Sequence, residues 1–381
     1  MIEIRHVRPD EMEQAVRLSD ETFRDAEQAS MLKAFPSAFD ARLYQSFGAF
    51  EGDELVAFMG LVPSVVQVET ARMSVLSLGS VCTHPNYRGK KIASTMLRDV
   101  YAHAERAGAS MLLVSGDGPL YMREGCHYFG SVSRFVVSAS HEKMQSFKAK
   151  HGTVIRSIHA GDWFQLHAVA ANRTVRYEQG VAELPILINS EAIASCYHMQ
   201  HAVYASFESE QMTAYAIVAV PMEGRAMGEE SPFVVEWGGD AVAVVSILAY
   251  ALHAEKLEAL EIPVVWHETK LLQALSIFPY KKMRNHGTVH IVNPERLFNE
   301  LLPYLTGKAP AAAARLSLRQ TLNGGAILLL DNREEATLHA EELVALFFDP
   351  QPKMNVPERL KDQLDQLFPV PFPHAGGLNF V

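Results

Sequence analysis

The stretch Val81-Cys82-Thr83-His84-Pro85-Asn86-Tyr87-Arg88-Gly89-Lys90-Lys91-Ile92-Ala93-Ser94 decides how the chain reads. The apolar run from Val75 to Val81 predicts a β-strand that feeds it. A short loop with Arg88, Gly89, Lys90 and Lys91 follows, and Ile92-Ala93-Ser94-Thr95-Met96-Leu97 opens a helix. A strand that passes to a helix in this way presents backbone N–H groups that have no partner within the helix. With the positive end of the helix dipole they form an anion seat, typically for a pyrophosphate. The plainer alternative is a basic, solvated loop ahead of an ordinary helix.

Composition bounds what surrounds this stretch. A chain of 381 residues is long enough for two or three domains, each with a sizeable core. Hydrophobic content of 48% and charged content of 20% are ordinary for a soluble globular protein. A formal net charge of −10 disfavours non-specific nucleic-acid binding and mildly favours a cationic substrate. Three cysteines, Cys82, Cys126 and Cys196, make no disulfide framework and point to a reducing cytoplasm. The N-terminus lacks the apolar core of a signal peptide, and the longest apolar run, around Ala241 to Leu252, is too short to span a bilayer. No membrane partner is expected.

The chain also repeats itself. Leu43 to Phe47, an acidic turn, and Val56 to Pro63 predict a hairpin; Val203 to Phe207, an acidic turn, and Thr213 to Pro221 predict another. Tyr101 to Arg106 ends a helix that leads to the strand Met111 to Val114. In the same order, Tyr250 to Lys256 leads to Ile262 to Trp266. The second copy lacks the basic loop, because Trp237-Gly238-Gly239-Asp240 runs straight into its helix. A third region begins near Gly287, with a strand at Thr288 to Val292 and a helix capped by Asn293. Further strands are expected at Ala313 to Leu318 and Gly325 to Leu330, and helices at Glu341 to Phe348 and Pro357 to Leu367.

The basic loop resembles motif A of the Gcn5-related N-acetyltransferases (GNAT), R/Q-x-x-G-x-G/A. Arg88 and Ala93 match its first and last positions, and Lys91 stands where the family usually has Gly. With the repeat and the third region, the whole chain resembles the enhanced intracellular survival (Eis) family. That resemblance implies an α+β fold: a catalytic GNAT domain over 1–142, a degenerate GNAT copy over 143–285, and a sterol-carrier-protein-like α+β domain over 286–381. It implies acetyl-CoA as co-substrate, a small-molecule amine such as an aminoglycoside or polyamine as acceptor, no metal, and a homo-oligomer, trimer or hexamer.

Residue roles follow from the resemblance position by position. Tyr121, in Gly118-Pro119-Leu120-Tyr121-Met122-Arg123, would be the general acid. The carboxylate of Val381, at the end of an apolar tail, would help deprotonate the amine. Val81, Cys82, Thr83, Arg88, Gly89, Lys90, Lys91, Ile92 and Ala93 would contact the cofactor, as would Ser115. Backbone N–H groups near Cys82 or Thr83 would stabilise the developing oxyanion. Phe23 and Asp25, with Glu21, Glu27 and Phe35 nearby, fall in the helical region that lines the acceptor cleft in this family. Cys196, His198 and His201 sit close in sequence, but no fourth ligand completes a zinc set, and on a strand His201 would face away from the other two. Two further functions fit the same residues: a carrier of a hydrophobic ligand, and an acyl-CoA sensor without turnover.

Overall fold

The computed structural model describes residues 1–142, 152–222, 230–321 and 324–381. The sequence boundary expected at 142/143 adjoins a segment outside these residues. Contacts divide the chain into two compact units: Met1–Gly130, Asn285–Pro373 and Val381 form the first, and Ser131–Arg284 with His374–Phe380 form the second.

In the first unit the strands of the main sheet run in the order Ile2–His6, Phe47–Glu51, Glu54–Val68, Ala71–Thr83, Met111–Val114, Thr288–Ile291. Ala71–Thr83 and Met111–Val114 pair in parallel; the other neighbours are antiparallel. Residues Val75 to Ser80 are buried without alternation, as expected of a strand covered on both faces. The helix Ile92–Ala107 covers this sheet through Ile92, Met96, Leu97, Val100 and Ala104, spaced to share one helical face. Gly108, left-handed at φ 82, ends it by donating its N–H to Ala104. The helix Met12–Phe23 packs on the two long strands.

The C-terminal region attaches to this same unit. Its first strand, Thr288–Ile291, joins the main sheet beside Met111–Val114. The helix Pro294–Lys308 follows, where Glu300 accepts the Ser74 N–H at 3.1 Å and Arg296 donates to the Ala109 carbonyl at 2.7 Å. A three-stranded sheet, Leu316–Gln320, Ala326–Leu330 and Arg333–Leu338, comes next. Phe129, Phe348 and Phe372 meet edge to face, and Asp349 accepts the Gly130 N–H at 2.9 Å. Two sequence expectations shift. The strand expected from Ala313 begins at Leu316, because Pro310–Ala313 makes a helical turn with proline at its start. The hairpin strand expected from Leu43 begins at Phe47, because the chain is still turning at Tyr44 (φ 47).

In the second unit the order is Tyr280–Met283, Val132–Ser138, Ala259–Val265, Phe233–Gly239, Gln211–Pro221, Met199–Glu208, Thr153–Ser157. An antiparallel hairpin, a strand, a helix (Ala241–Ala254), a parallel strand and a short helix (Thr269–Ala274) recur in the order seen in the first unit. Asp240 caps the long helix by accepting the Ala243 N–H at 2.9 Å.

His201 lies on Met199–Glu208, where its Nδ1–H donates to the Ile188 carbonyl at 2.8 Å. Its Nε2 is buried with no partner among the described residues, and burial pushes its pKa down to about 4. Among the described residues no group of three His, Cys, Asp or Glu side chains is arranged to hold a metal. A histidine kept neutral by folding gains a proton first in the unfolded chain. Its contribution therefore holds above the unfolded value of 6.5 and is lost as pH falls toward 4. Urea midpoints should drop more across this window for the natural protein than for His201→Gln. Parallel pH profiles would show that the buried ring takes up its proton without penalty.

Candidate active site

The site begins where two strands part. The last parallel pair is Leu78 with Val114. Ser115 closes that pairing, its N–H donating to the Leu78 carbonyl at 3.1 Å and its Oγ at 3.3 Å. On the other side of the strand, the register with Glu54–Val68 shifts: Gly60 faces Gly79, and Phe58 faces Cys82. Ser80 takes a left-handed backbone, φ 52. A bulge of this kind lifts backbone groups out of the ladder and re-aims them. Cys82 and Thr83, the expected oxyanion donors, are in register with Phe58 and Ala57, whereas Ser80 and Val81 stand outside that register. The sequence carries no mark for Ser80, an unremarkable polar residue inside an apolar run.

The side chain of Cys82 is buried, with Sγ 3.6 Å from Ser19 Oγ on the helix Met12–Phe23, and burial pushes its thiol pKa up. Phe23 is one turn further along that helix and is exposed. Asp25 lies past the helix end. Its Oδ1 accepts the N–H groups of Glu27 at 2.9 Å and Gln28 at 3.0 Å, so the carboxylate is engaged by its own turn.

Arg88, Gly89, Lys90 and Lys91 are exposed. Arg88 Nε donates to the Thr83 carbonyl at 3.1 Å, folding the loop back on the strand, and Lys90 Nζ stands 4.3 Å from the Tyr87 ring. Lys91 is the helix N-cap at φ 62, ψ 14. This is the left-handed backbone that glycine adopts freely and other residues adopt at a cost. The loop therefore keeps a glycine-like shape with a lysine in it. The first intrahelical bond runs from Thr95 N–H to Lys91 O at 3.1 Å, which leaves the N–H groups of Ile92, Ala93 and Ser94 ahead of it. Buried Ile92 and half-buried Ala93 fix the start of the helix. Backbone donors, a dipole and three cations in one loop fit the pyrophosphate of a coenzyme A thioester.

Tyr121 sits in the short helix Pro119–Arg123. Its ring lies on Gly116, where an added Cβ would stand 3.0 Å from Cε2. Burial, with smaller contributions from Cys126 and Cys82, pushes the phenol pKa up to about 12, so it stays protonated at neutral pH. The backbone C and O of Val381 lie against Gly79, the first residue beyond the last parallel pair, and a Cβ on Gly79 would collide with them. Gly79 is thus a position that only a glycine fits.

A profile described as an acetyltransferase (GNAT) domain matches residues 3–129. Residues 3–129 are a GNAT acetyltransferase domain, the fold unit of an acyl-transfer enzyme. No curated protein matches it in sequence. Among solved structures, a GCN5-related N-acetyltransferase from Kribbella flavida superposes with a TM-score of 0.66 at 13% identity over 98% of both chains. One from Anabaena variabilis gives 0.67 at 10% identity, again over 98% of both. Eis1 from Mycobacterium abscessus gives 0.59 at 13% identity, covering 91% of this chain and 88% of its own. At these identities the likeness speaks for a mixed α/β, GNAT-like fold. Within that fold the parted strands, the loop 88–91 and Tyr121 belong to the GNAT domain.

Lys91→Gly removes a left-handed strain of roughly 1–2 kcal/mol and adds about 0.5–1 kcal/mol of chain entropy. Urea unfolding should therefore find the variant as stable as the natural protein, or more stable by about 1 kcal/mol. A clear loss would mean that the lysine side chain, not the backbone shape, holds the loop.

Proposed function

We propose that this GNAT enzyme transfers the acetyl group of acetyl-CoA to an amino group of a cationic small molecule, such as an aminoglycoside or a polyamine. When bound, acetyl-CoA supplies the activated acyl group as a thioester. The N–H groups of Ile92 and Ala93, with Arg88, Gly89, Lys90 and Lys91, hold the pyrophosphate. Val81, Cys82, Thr83 and Ser115 line the gap between the parted strands. The N–H groups of Ser80 and Val81 take the charge that develops on the carbonyl oxygen. The Val381 carboxylate accepts a proton from the acceptor ammonium, directly or through water, because only the neutral amine attacks. Tyr121 donates to the departing sulfur. Its pKa of about 12 lies above that of a thiol, so the proton moves together with C–S cleavage and not before it.

The observation that carries this proposal is the seating of Val381 on Gly79, one residue past the point where the strands part. The glycine-like backbone of Lys91 supports it from the cofactor side. The rest of the proposal is an Eis-like organisation: a second copy without a cofactor loop, a C-terminal region like a sterol carrier protein, and a cytoplasmic homo-oligomer. Asp240 at the start of the second long helix supports a silent second copy, because its carboxylate takes the Ala243 N–H and sets a negative charge where a phosphate would sit. Phe23, exposed at the end of its helix, is the proposed acceptor contact; Asp25 contributes negative charge there while holding its own turn.

Thiol release from acetyl-CoA should be saturable with one class from a panel of aminoglycosides, polyamines, lysine peptides and arylamines. Acetyl-CoA binding without release for any of them would sink the proposal. Tyr121→Phe should lower kcat by about 10²-fold or more with little change in acetyl-CoA affinity. Extending the chain past Val381 by a short peptide should also cut kcat, because the carboxylate would leave Gly79. Full activity in the extended protein would remove Val381 from the mechanism.

A further inference from the structure

The segment that carries Tyr121 is fastened by a strand from far along the chain. Thr288, fully buried, donates its Oγ1–H to the Gly116 carbonyl at 2.9 Å. Gly116 is the residue on which the Tyr121 ring lies. Val289 exchanges two backbone hydrogen bonds with His127, at 2.8 and 2.9 Å. His290 donates its Nδ1–H to the Gly125 carbonyl at 3.0 Å, and its ring stacks on Tyr101 with centroids 4.0 Å apart and planes 9° from parallel. Tyr101 in turn donates its hydroxyl to the Glu124 carbonyl at 2.9 Å. The helix end itself closes through Cys126 N–H to the Tyr121 carbonyl at 2.9 Å.

The loop Ser115–Gly118 and the helix Pro119–Arg123 are short, and pieces of this length do not hold a shape alone. Both ends of the segment are instead bonded to consecutive residues of Thr288–Ile291. We propose that Thr288 and His290 are positioning residues that fix the phenol of Tyr121 for proton delivery, an inference that rests on the role of Tyr121 proposed above. Thr288 sets the surface under the ring. His290 and Tyr101 clamp the turn that follows it. Neither Thr288 nor His290 belongs to the matched GNAT profile, which ends at residue 129.

The test uses the full chain. Thr288→Val keeps volume and branching and removes the hydroxyl that donates to Gly116 and also meets the Cys126 thiol. It should lower kcat roughly tenfold, the effect of about 1.4 kcal/mol, while KM for acetyl-CoA stays within about twofold. Thr288→Ser, which keeps the hydroxyl, should restore kcat. In a Tyr121→Phe background Thr288→Val should cause no further loss, because there is no phenol left to aim. His290→Phe keeps the stack and loses the bond to Gly125; it should behave as Thr288→Val does, and it serves as the readout if Thr288→Val does not fold. Natural kcat in both variants, or a full additional loss on top of Tyr121→Phe, would overturn the positioning role. If Tyr121→Phe alone keeps natural kcat, the acid assignment fails and the positioning role falls with it, a result distinct from the other two.

Discussion

Everything in the first unit depends on the strand Ala71–Thr83 being held on both sides up to Leu78 and released on one side after it. A parallel pairing cannot end inside a core unless something satisfies the backbone beyond the last bond. Here Ser115 caps one side, and the bulge at Gly79 and Ser80 turns the other away from the regular ladder. The result is a gap with backbone donors on its wall. A side chain at 79 would collide with the Val381 backbone seated there. Release of the strand, absence of a side chain and left-handed backbone at the next residue together form one local device.

The basic loop shows how a conformational requirement can be met by the unexpected residue. Motif A usually carries a glycine at the position of Lys91, and in this chain the backbone there is left-handed. Lys91 adopts that backbone and accepts its strain, and in exchange the loop gains a third positive charge beside the helix N-terminus. The second unit shows the opposite outcome from a similar strand-to-helix junction. Asp240 occupies its helix N-terminus, takes the Ala243 N–H, and repels an anion there.

Much of this was legible in the sequence because it is local. The basic loop, the helix that opens at Ile92, and the recurring order of hairpin, helix and strand follow from periodicity and turn chemistry. What was not legible is tertiary. Ser80 looks like any polar residue in a strand, and its backbone angle is set by a register shift against Phe58 and Gly60. The sequence points to oxyanion donors near Cys82 and Thr83, whereas the register shift falls at Ser80 and Val81. Asp25 reads as a free acidic group until its turn is seen to use the carboxylate. Thr288 to Ile291 reads plainly as a strand, but no pattern within it says which sheet it will join. That choice is made by the unpaired edge of Met111–Val114, residues far away in sequence.

The strand Thr288–Ile291 also sets an order of events during synthesis. Met111–Val114 leaves the ribosome as an apolar edge strand, and its partner on the outer side has not yet been made. At about 5–20 residues per second the wait is on the order of ten seconds or more. An unpaired apolar edge is the feature through which chains associate wrongly. A truncated product ending before residue 288 would keep that edge permanently. Although most of its residues are translated first, the first unit cannot complete its sheet until residues from 285 onward have been made.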